Sequence, residues 1–383
     1  MTPLFIVFAL LLFASSAYTL IMMWAARQWA KSRFTVDRSY TPTITVLKPV
    51  RGVDQEEYEN FASFCQQDYP LDRYQVLFGA LDSQDPALEI ARRLQTDFPQ
   101  VDVGIISEDT APQGLNRKVC NMIQMLPHAK HEVLIICDSD MRVTPDYLRR
   151  VVAPLQQGFS AVTCPYRGHH PRGFAAIWEA LGIGADFIPS VLCGRLLEGV
   201  SFAFGSTIVL PRTHLETIGG LEALKDHLAD DFQVGNRIAR AGLRVALSDY
   251  VVLDVLGKER FREMWDRRLR WGRTLRACRP TGYFGSFVTH VVALATLLLV
   301  LSGFSRLGWE FLGVVLVFRL VTSAMVSLLW THDPNVLKYL FLLPVSDLLS
   351  FALFVLSFAG RTLVWRGERF RVRADGVMVP FKD

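Results

Sequence analysis

The chain has 383 residues, of which 51% are hydrophobic and 20% charged, and its formal net charge is +4. Its mean hydropathy of +0.24 is higher than that of an ordinary soluble protein, so part of the chain should lie in lipid. The small net charge gives no support for nucleic acid as a partner, because such proteins usually carry a concentrated basic face. The six cysteines are scattered and form no CxxC pair, which indicates reduced thiols in a cytosolic environment.

An apolar run over residues 4–26 opens the chain. It is longer than the apolar region of a typical signal peptide and has no basic segment before it. Arg27, Lys31 and Arg33 follow it directly. We therefore expect a retained transmembrane helix whose C-terminal end lies in the cytoplasm.

From residue 43, short apolar strands alternate with amphipathic helices, a pattern typical of βαβ units on a parallel sheet. The predicted strands are 43–47, 74–81, 101–106, 132–137, 161–166 and 202–210. The predicted helices are 56–67, 86–97, 114–125, 213–219 and 231–241. Open sheets bind ligands beyond the carboxyl ends of their strands, which places Lys48, Asp82 and Asp138 on the ligand-binding edge.

Apolar sequence returns after the predicted strands. Residues 173–193 fit a helix on the membrane surface and an ordinary buried helix equally well. Three later segments, 281–304, 307–330 and 336–365, are each long enough to span a bilayer.

A basic tail follows these segments, with arginines at positions 361, 366, 369, 371 and 373. The positive-inside rule places this tail in the cytoplasm with the α/β domain, and three crossings cannot return it there. One segment must therefore be interfacial, re-entrant or split. The third is the best candidate, because Pro344 and Asp347 interrupt it.

The strongest local motif is the apolar run 133–137 followed by Asp138-Ser139-Asp140. Two carboxylates separated by one residue just past a strand end can bind one hard cation, Mg²⁺ or Mn²⁺, which in turn binds phosphate oxygens. A turn or a helix cap is the alternative for this tripeptide. The metal would offset the charge that develops on a diphosphate leaving group.

Three further positions suit the same site. Asp82 follows a strand and can accept a hydrogen bond from a nucleotide, or can simply start a turn. Lys118 lies in the first turns of a helix, where a phosphate or carboxylate partner would explain a positive charge, unless the lysine is solvated. Asp230 and Asp231 precede a helix, and one of them is either its N-cap or a general base.

A basic motif, Arg267-Arg268-Leu269-Arg270-Trp271, lies on an amphipathic helix that leads to the membrane. Arg267 and Arg270 share a helix face and can clamp a diphosphate, while Trp271 can close over the site. Contact with lipid headgroups is the alternative.

Together these motifs resemble glycosyltransferases of the family 2-like and family 21 types. The motifs that occur in the same order and spacing are Asp82, Asp138-Ser139-Asp140, Asp231 and Arg267-x-x-Arg270-Trp271. The chain most closely resembles the ceramide glucosyltransferase family and, within it, the bacterial hopanoid-type enzymes. The segments that carry this resemblance are Leu47-Lys48-Pro49, Asn116-Arg117-Lys118, Cys137-Asp138-Ser139-Asp140 and Ala229-Asp230-Asp231.

The resemblance implies an α/β GT-A fold with a mixed, Rossmann-like sheet between N- and C-terminal transmembrane helices. It also implies a UDP-sugar donor, a divalent metal (Mg²⁺ or Mn²⁺) and a lipid hydroxyl as acceptor. Asp231 would be the catalytic base, and Asp138 and Asp140 would hold the metal. The residues predicted to bind substrate are Asp82, Lys118, Asp138, Asp230, Arg267, Arg270 and Trp271. Two departures are Asp230, where many relatives have Glu, and Arg267, where many have Gln.

The predicted organisation is a transmembrane anchor at 1–27, a cytoplasmic GT-A domain at 40–278, a membrane region at 279–365 and a basic cytoplasmic tail at 366–383. The predicted location is the inner membrane, crossed several times. The predicted reaction is inverting transfer of N-acetylglucosamine from a UDP-sugar to a hopanoid such as bacteriohopanetetrol.

Three alternatives stay open from sequence. The first is transfer from UDP-glucose to ceramide or diacylglycerol. The second is a membrane transport or scaffold protein, which the intramembrane charges of Arg319 and Asp347 favour unless they pair with each other. The third is a processive polysaccharide synthase, which typically has more transmembrane helices than this chain.

Overall fold

The computed structural model describes residues 3–109, 112–360, 362–365, 368–373 and 375–381. The strands are β1 (Ile44–Pro49), β2 (Tyr74–Gly79), β3 (Asp102–Ile106), β4 (Val133–Ile136), β5 (Met141–Arg142), β6 (Ala161–Thr163), β7 (Tyr166–His169), β8 (Ile208–Pro211), β9 (Val245–Leu247), β10 (Val252–Val255), β11 (Thr362–Trp365), β12 (Glu368–Val372) and β13 (Met378–Pro380). The helices are α1 (Pro3–Lys31), α2 (Glu57–Cys65), α3 (Ala87–Asp97), α4 (Arg117–Met125), α5 (Tyr147–Gln156), α6 (Phe174–Leu181), α7 (Ile188–Glu198), α8 (Arg212–Thr217), α9 (Asp230–Arg240), α10 (Phe261–Cys278), α11 (Pro280–Gly285), α12 (Val291–Leu301), α13 (Arg306–Val326), α14 (Pro334–Lys338) and α15 (Leu343–Ser357).

These elements form two compact units. The sheet unit consists of Ser32–His170 and Gly199–Gly257, and the helical unit of Met1–Lys31, Pro171–Glu198 and Lys258–Asp383. The predicted division into anchor, catalytic domain, membrane region and tail stays a prediction.

The main sheet of the sheet unit has the strand order β3-β2-β1-β4-β8-β6-β9. β1 pairs in parallel with both β2 and β4, and every residue of these three strands is buried. Parallel strands covered on both faces need such continuous apolar sequence. β8 runs antiparallel to β4 and β6, so the sheet is mixed, as the family resemblance implies, although the alternation of strands and helices alone indicated parallel pairing.

Helices cover both faces of this sheet. One apolar core includes Phe61, Phe64, Leu88 and Tyr147, and the other includes Val119, Met122, Leu215 and Ile238. All six cysteines are free thiols, as expected for a reducing environment.

Two of the predicted strands need correction. The segment 161–166 divides into β6 and β7, because Pro165 lies between them and has no N–H to continue the ladder. β7 leaves the main sheet and pairs in parallel with β10, which also pairs with β5. In the segment 202–210 the strand begins only at Ile208, after a tight turn closed by a bridge between Phe204 and Thr207.

In the described part of the chain, four helices of the helical unit are long and apolar enough to cross a bilayer. They are Ile6–Lys31, Phe174–Glu198, Arg306–Thr331 and Leu340–Ser357. The second of them includes a π-helical segment, Gly182–Phe187, between α6 and α7. The apolar residues 281–304 form instead a pair of helices, Pro280–Thr289 and Val291–Leu301, bent by 63° at His290.

The sharp bend in the C-terminal membrane region therefore lies in the first apolar segment. The predicted interruption of the third segment at Pro344 and Asp347 is wrong, because the helix Leu340–Ser357 continues through both residues. Pro344 lies in the first turn of α15, where a missing N–H costs no hydrogen bond. Asp347 stays in the helix because its carboxylate is paired with Arg319.

The basic end of the chain forms an antiparallel sheet of β11, β12 and β13. Arg369 and Arg371 lie on β12 and Arg373 follows it, whereas Arg361 and Arg366 lie outside the residues whose side chains are described.

Candidate active site

The site is built around the end of β4, where Asp138 follows the buried Cys137. The N–H of Asp138 donates to the carbonyl of Gly205 at 2.9 Å. The ammonium of Lys48, at the end of β1, donates to the carbonyl of Asp138. Lys48 is fully buried, and its Nζ lies 4.1 Å from the centre of the Phe64 ring. The main chain of Asp138 is thus fixed from two sides before any ligand is considered.

Lys118 brings two distant carboxylates together. Its Nζ lies 2.6 Å from Oδ1 of Asp138 and 3.4 Å from Oδ2 of Asp230. Burial opposes the charged form, but the carboxylates of Asp138, Asp230 and Asp231 outweigh it and raise the pKa of Lys118 above its ordinary value. The positive charge in the first turn of α4 therefore has carboxylate partners, and the solvated-lysine alternative is wrong.

The N-cap of α4 fixes this arrangement. The side-chain oxygen of Asn116 accepts hydrogen bonds from the N–H groups of Lys118 and Val119, as an N-cap does. Its amide nitrogen donates to Oδ1 of Asp230 at 3.1 Å and to the carbonyl of His227 at 2.8 Å. One buried asparagine therefore positions both Lys118 and its partner Asp230.

Asp230 and Asp231 form the first turn of α9, whose N-cap is Ala229. The interpretation of either aspartate as the N-cap is therefore wrong. Oδ2 of Asp231 accepts from the N–H of Gly205 at 3.0 Å. Burial and the neighbouring charge of Asp230 raise the pKa of Asp231 to about 6. A carboxylate with a pKa near the working pH is suited to accept a proton.

Gly205 links the two acidic elements. Its carbonyl accepts from Asp138 and its N–H donates to Asp231, so one peptide joins the metal motif to the candidate base. A Cβ at this position would lie 2.2 Å from Oδ2 of Asp138, so only glycine leaves room for that carboxylate. Gly235 in α9 likewise allows the helix to approach Phe202, whose backbone carbon would lie 2.1 Å from a Cβ there.

Asp138 and Asp140 are the carboxylates that the sequence predicts to hold a divalent cation, and this stays a prediction. Among the described residues, no group of three or more His, Cys, Asp or Glu side chains could hold a metal ion. Two carboxylates and the oxygens of a bound phosphate are, however, a common way of binding Mg²⁺. The donor set therefore fits an ion that is shared with a diphosphate ligand.

Glu57 is a neighbour of this site that sequence analysis did not identify. It is buried at the start of α2, and burial, together with the charges of Asp54 and Asp140, raises its pKa to about 7. Nothing in the local sequence marks Glu57, because its environment depends on contacts with distant strands.

Asp82 lies in the turn that follows β2. Its Oδ1 accepts from the N–H of Gln84 at 2.9 Å, and its carbonyl accepts from Asp85 at 3.0 Å. The carboxylate of Asp82 thus starts a turn, which was the alternative to a binding role. A contact between Asp82 and a nucleotide stays a prediction.

Arg267, Arg270 and Trp271 lie on α10 in the helical unit. The guanidinium of Arg267 forms ion pairs with Glu179 and, at 2.7 Å, with Glu259. It also lies 5.5 Å from the ring of Trp271, which is 45% exposed. Arg267 is thus engaged by two carboxylates, and the predicted clamp on a diphosphate stays a prediction.

Arg319 and Asp347, the intramembrane charges of the sequence, pair with each other. Nε and Nη2 of Arg319 each lie 2.9 Å from a carboxylate oxygen of Asp347, and Nη2 also contacts Asp186. Mutual pairing accounts for these charges without a transport pathway.

The family model and the relatives that match this chain point to the same protein family. Residues 6–378 match the model of Glycosyl transferase family 21. Ceramide glucosyltransferase 1 of Caenorhabditis elegans is 26% identical over 346 residues, which cover 88% of this chain and 72% of that protein. Ceramide glucosyltransferase 3 of the same organism is 25% identical over 272 residues, covering 67% of this chain and 58% of the relative.

A mannosyltransferase from Pyrobaculum calidifontis, solved with GDP-Man and Mn²⁺, has a similar structure. The TM-score is 0.56 at 20% identity, and the match covers 93% of this chain and 99% of that one. The predicted GT-A-like fold with a mixed sheet and apolar helices in the N- and C-terminal regions is confirmed.

Proposed function

Because the chain belongs to glycosyl transferase family 21, we propose that it transfers a hexose from a UDP-sugar to the hydroxyl group of a membrane lipid. Its class is that of a sugar-nucleotide hexosyltransferase. The observation that carries the proposal is the group of Asp138, Asp230 and Asp231 around the ammonium of Lys118 beyond the carboxyl end of β4.

Asp231 is the catalytic base in this proposal. Its carboxylate is oriented by the N–H of Gly205, and its pKa of about 6 lets it accept a proton at neutral pH. The lipid hydroxyl loses its proton to Asp231 and attacks the anomeric carbon as the nucleotide diphosphate leaves. The configuration at that carbon inverts, so an α-linked donor gives a β-glycoside.

Asp138 and Asp140 would hold a divalent cation, Mg²⁺ or Mn²⁺. When bound, the ion would offset negative charge on the diphosphate leaving group. Support comes from the two oxygen donors and from the Mn²⁺ in the Pyrobaculum mannosyltransferase. We further assign Asp82 to the nucleotide, Lys118 to the diphosphate, and Arg270 with Trp271 to the product side of the diphosphate.

The lipid and the sugar are the finer part of the proposal. The relatives named ceramide glucosyltransferase favour UDP-glucose as donor and ceramide as acceptor. The prediction of N-acetylglucosamine and a hopanoid is supported only by the motif resemblance. We therefore propose glucose transfer to ceramide as the reaction, with the hopanoid reaction as the alternative.

We also propose that the enzyme is a multi-pass membrane protein whose sheet unit faces the cytoplasm. Four candidate membrane helices support the first part, and the basic residues that follow the N-terminal helix support the second.

A transfer assay with purified protein tests the proposed function. Purified full-length protein is given radiolabelled UDP-glucose or UDP-N-acetylglucosamine with ceramide, diacylglycerol or bacteriohopanetetrol in mixed micelles, with Mn²⁺ or Mg²⁺. We expect labelled glycolipid from at least one pair, with the highest rate for UDP-glucose and ceramide. Transfer only from UDP-N-acetylglucosamine to the hopanoid would restore the original prediction, and transfer to none of the lipids would refute the proposal.

A further inference from the structure

The Lys118 ammonium occupies a position that a bound cation would also need. Its Nζ lies 2.6 Å from Oδ1 of Asp138, one of the two carboxylates assigned to the metal. This distance is that of a direct charge-assisted contact, which leaves no space for an ion between the two atoms. An ion that approaches Oδ1 from the side of Lys118 would therefore have to displace the ammonium.

We propose that Lys118 is an internal counter-ion that neutralises Asp138 in the donor-free enzyme and is displaced when the divalent cation and the diphosphate bind. The ammonium then pairs with the diphosphate. This inference rests on the proposed function, since it assumes a diphosphate donor and a metal at Asp138.

The surroundings of Lys118 allow such a displacement. The lysine and Asp138 side chains are 19% and 35% exposed, so the pair can be reached from outside. An ammonium on a flexible stem makes contacts that depend little on orientation, in contrast with the planar fork of a guanidinium.

Asp230 keeps the lysine in the site after it leaves Asp138. Its Oδ2 already lies 3.4 Å from Nζ, and its Oδ1 is held by the amide of Asn116. Asp230 therefore gives the ammonium a second anion without moving itself. The displaced charge stays close to the position of the incoming diphosphate.

The arrangement makes binding of metal and nucleotide interdependent. Metal alone must break the contact between Lys118 and Asp138 and leaves the ammonium only its longer contact with Asp230, so the affinity of metal for the free enzyme is reduced. A nucleotide diphosphate offers the released ammonium a new partner, and it should raise the affinity for metal. Without the lysine, metal should bind tightly whether or not nucleotide is present.

Mn²⁺ binding to the full-length protein in detergent tests this proposal, with the free ion measured by electron paramagnetic resonance in the presence and absence of UDP. The variants are Lys118→Met, Lys118→Arg and, as a matched control, Lys130→Met, which removes an exposed lysine paired with Asp102 at 2.7 Å. We expect Lys118→Met to bind Mn²⁺ about tenfold more tightly than wild type without UDP, and UDP to add little. Lys118→Arg and Lys130→Met should show no such gain.

Unchanged or weaker Mn²⁺ binding by Lys118→Met, with a melting temperature like that of wild type, would overturn the inference. If Lys118→Met is unstable, Lys118→Arg decides: tighter Mn²⁺ binding by this variant, which keeps the charge, also overturns it. The proposed function is tested separately, because wild-type protein that shows the Mn²⁺ and UDP dependence but glycosylates none of the lipids would refute the lipid acceptor alone.

Discussion

Two cations of this protein, Arg319 and Lys118, each contact aspartates, and the two arrangements differ in geometry. Arg319 meets Asp347 through two parallel contacts of 2.9 Å, and both side chains are 6% exposed. Lys118 meets Asp138 and Asp230 at unequal distances of 2.6 and 3.4 Å, in a pair that solvent can reach. The first arrangement fixes its partners, whereas the second leaves room for exchange.

This difference separates a structural charge from a functional one. A bidentate guanidinium pair inside apolar helices is satisfied internally, and any ligand would have to break it at a high cost. An ammonium among three carboxylates leaves a net negative charge, which suits a site that binds a cation. We therefore expect changes at Arg319 to affect stability and changes around Lys118 to affect catalysis.

The largest effect should come from Asp231→Asn. The amide cannot accept the proton of the acceptor hydroxyl, so kcat should fall by about 10²- to 10⁴-fold in the transfer assay. The folded-state pKa of Asp231 is raised, so ionisation of this group destabilises the protein as the pH rises through about 6. The melting temperature at pH 7.5 should therefore be unchanged or higher, and UDP should still bind. Retained turnover would show that another group is the base.

Arg319→Met should have the next largest effect, and it should lower the stability of the protein rather than its catalytic rate. It leaves the buried Asp347 without its cation, which should lower the free energy of unfolding by about 3–5 kcal/mol. Thermal unfolding in detergent measures this loss, and the double variant Arg319→Met/Asp347→Leu should regain most of it. Arg306→Met is the matched control: its exposed pair with Glu310 contributes at most about 1 kcal/mol. Equal melting temperatures for the two single variants would contradict the comparison.

Lys48→Met tests a third cation, which is buried and bonded to main chain. The variant removes the hydrogen bond to the carbonyl of Asp138 while methionine still fills the space beside Phe64. Because Asp138 is then less well fixed, kcat/KM for the donor should fall roughly 10- to 100-fold. Lys130→Met provides the control, and equal kcat/KM values for both variants would show that Lys48 does not position the metal motif.

The smallest effect concerns pH. The kcat/KM for sugar transfer should decrease as the pH falls through about 6, since Asp231 must be ionised to act as base. Asp230→Asn removes a neighbouring negative charge that raises this pKa, so the acidic limb of the kcat/KM profile should move to lower pH. Asp102→Asn, at an exposed position, should leave the limb in place. A shift to higher pH in Asp230→Asn would contradict the assigned electrostatics.

Local sequence was sufficient to predict much of the fold. The apolar runs of β1, β2 and β4 differ from their predicted bounds by two residues or fewer, because buried parallel strands require continuous apolar sequence. The sequence also correctly predicted that Asp138 lies just past the end of β4, and the topology of an open sheet places such positions at one edge.

Long-range contacts explain what the sequence did not reveal. Gly205 resembles any loop glycine until the fold places it between Asp138 and Asp231. The partners of Arg267 show the same limit, since Glu179 lies 88 positions earlier in the chain. The antiparallel course of β8 depends on how the chain returns after α7, for which the strand itself carries no signal.

The pairing of β6 with β8 also limits how the chain crosses the membrane. Helix Phe174–Glu198 passes every test of length and composition for a span, yet Val162 before it and Val209 after it are neighbours in one sheet. A bilayer cannot divide a sheet joined by main-chain hydrogen bonds, so this helix does not carry the chain from one side of a membrane to the other. It adds nothing to the crossing number. The parity of the crossings then depends on the 63° bend at His290: if the chain turns back there, two crossings remain after the sheet unit, and Arg369 and Arg371 return to the side of the membrane on which the sheet unit lies.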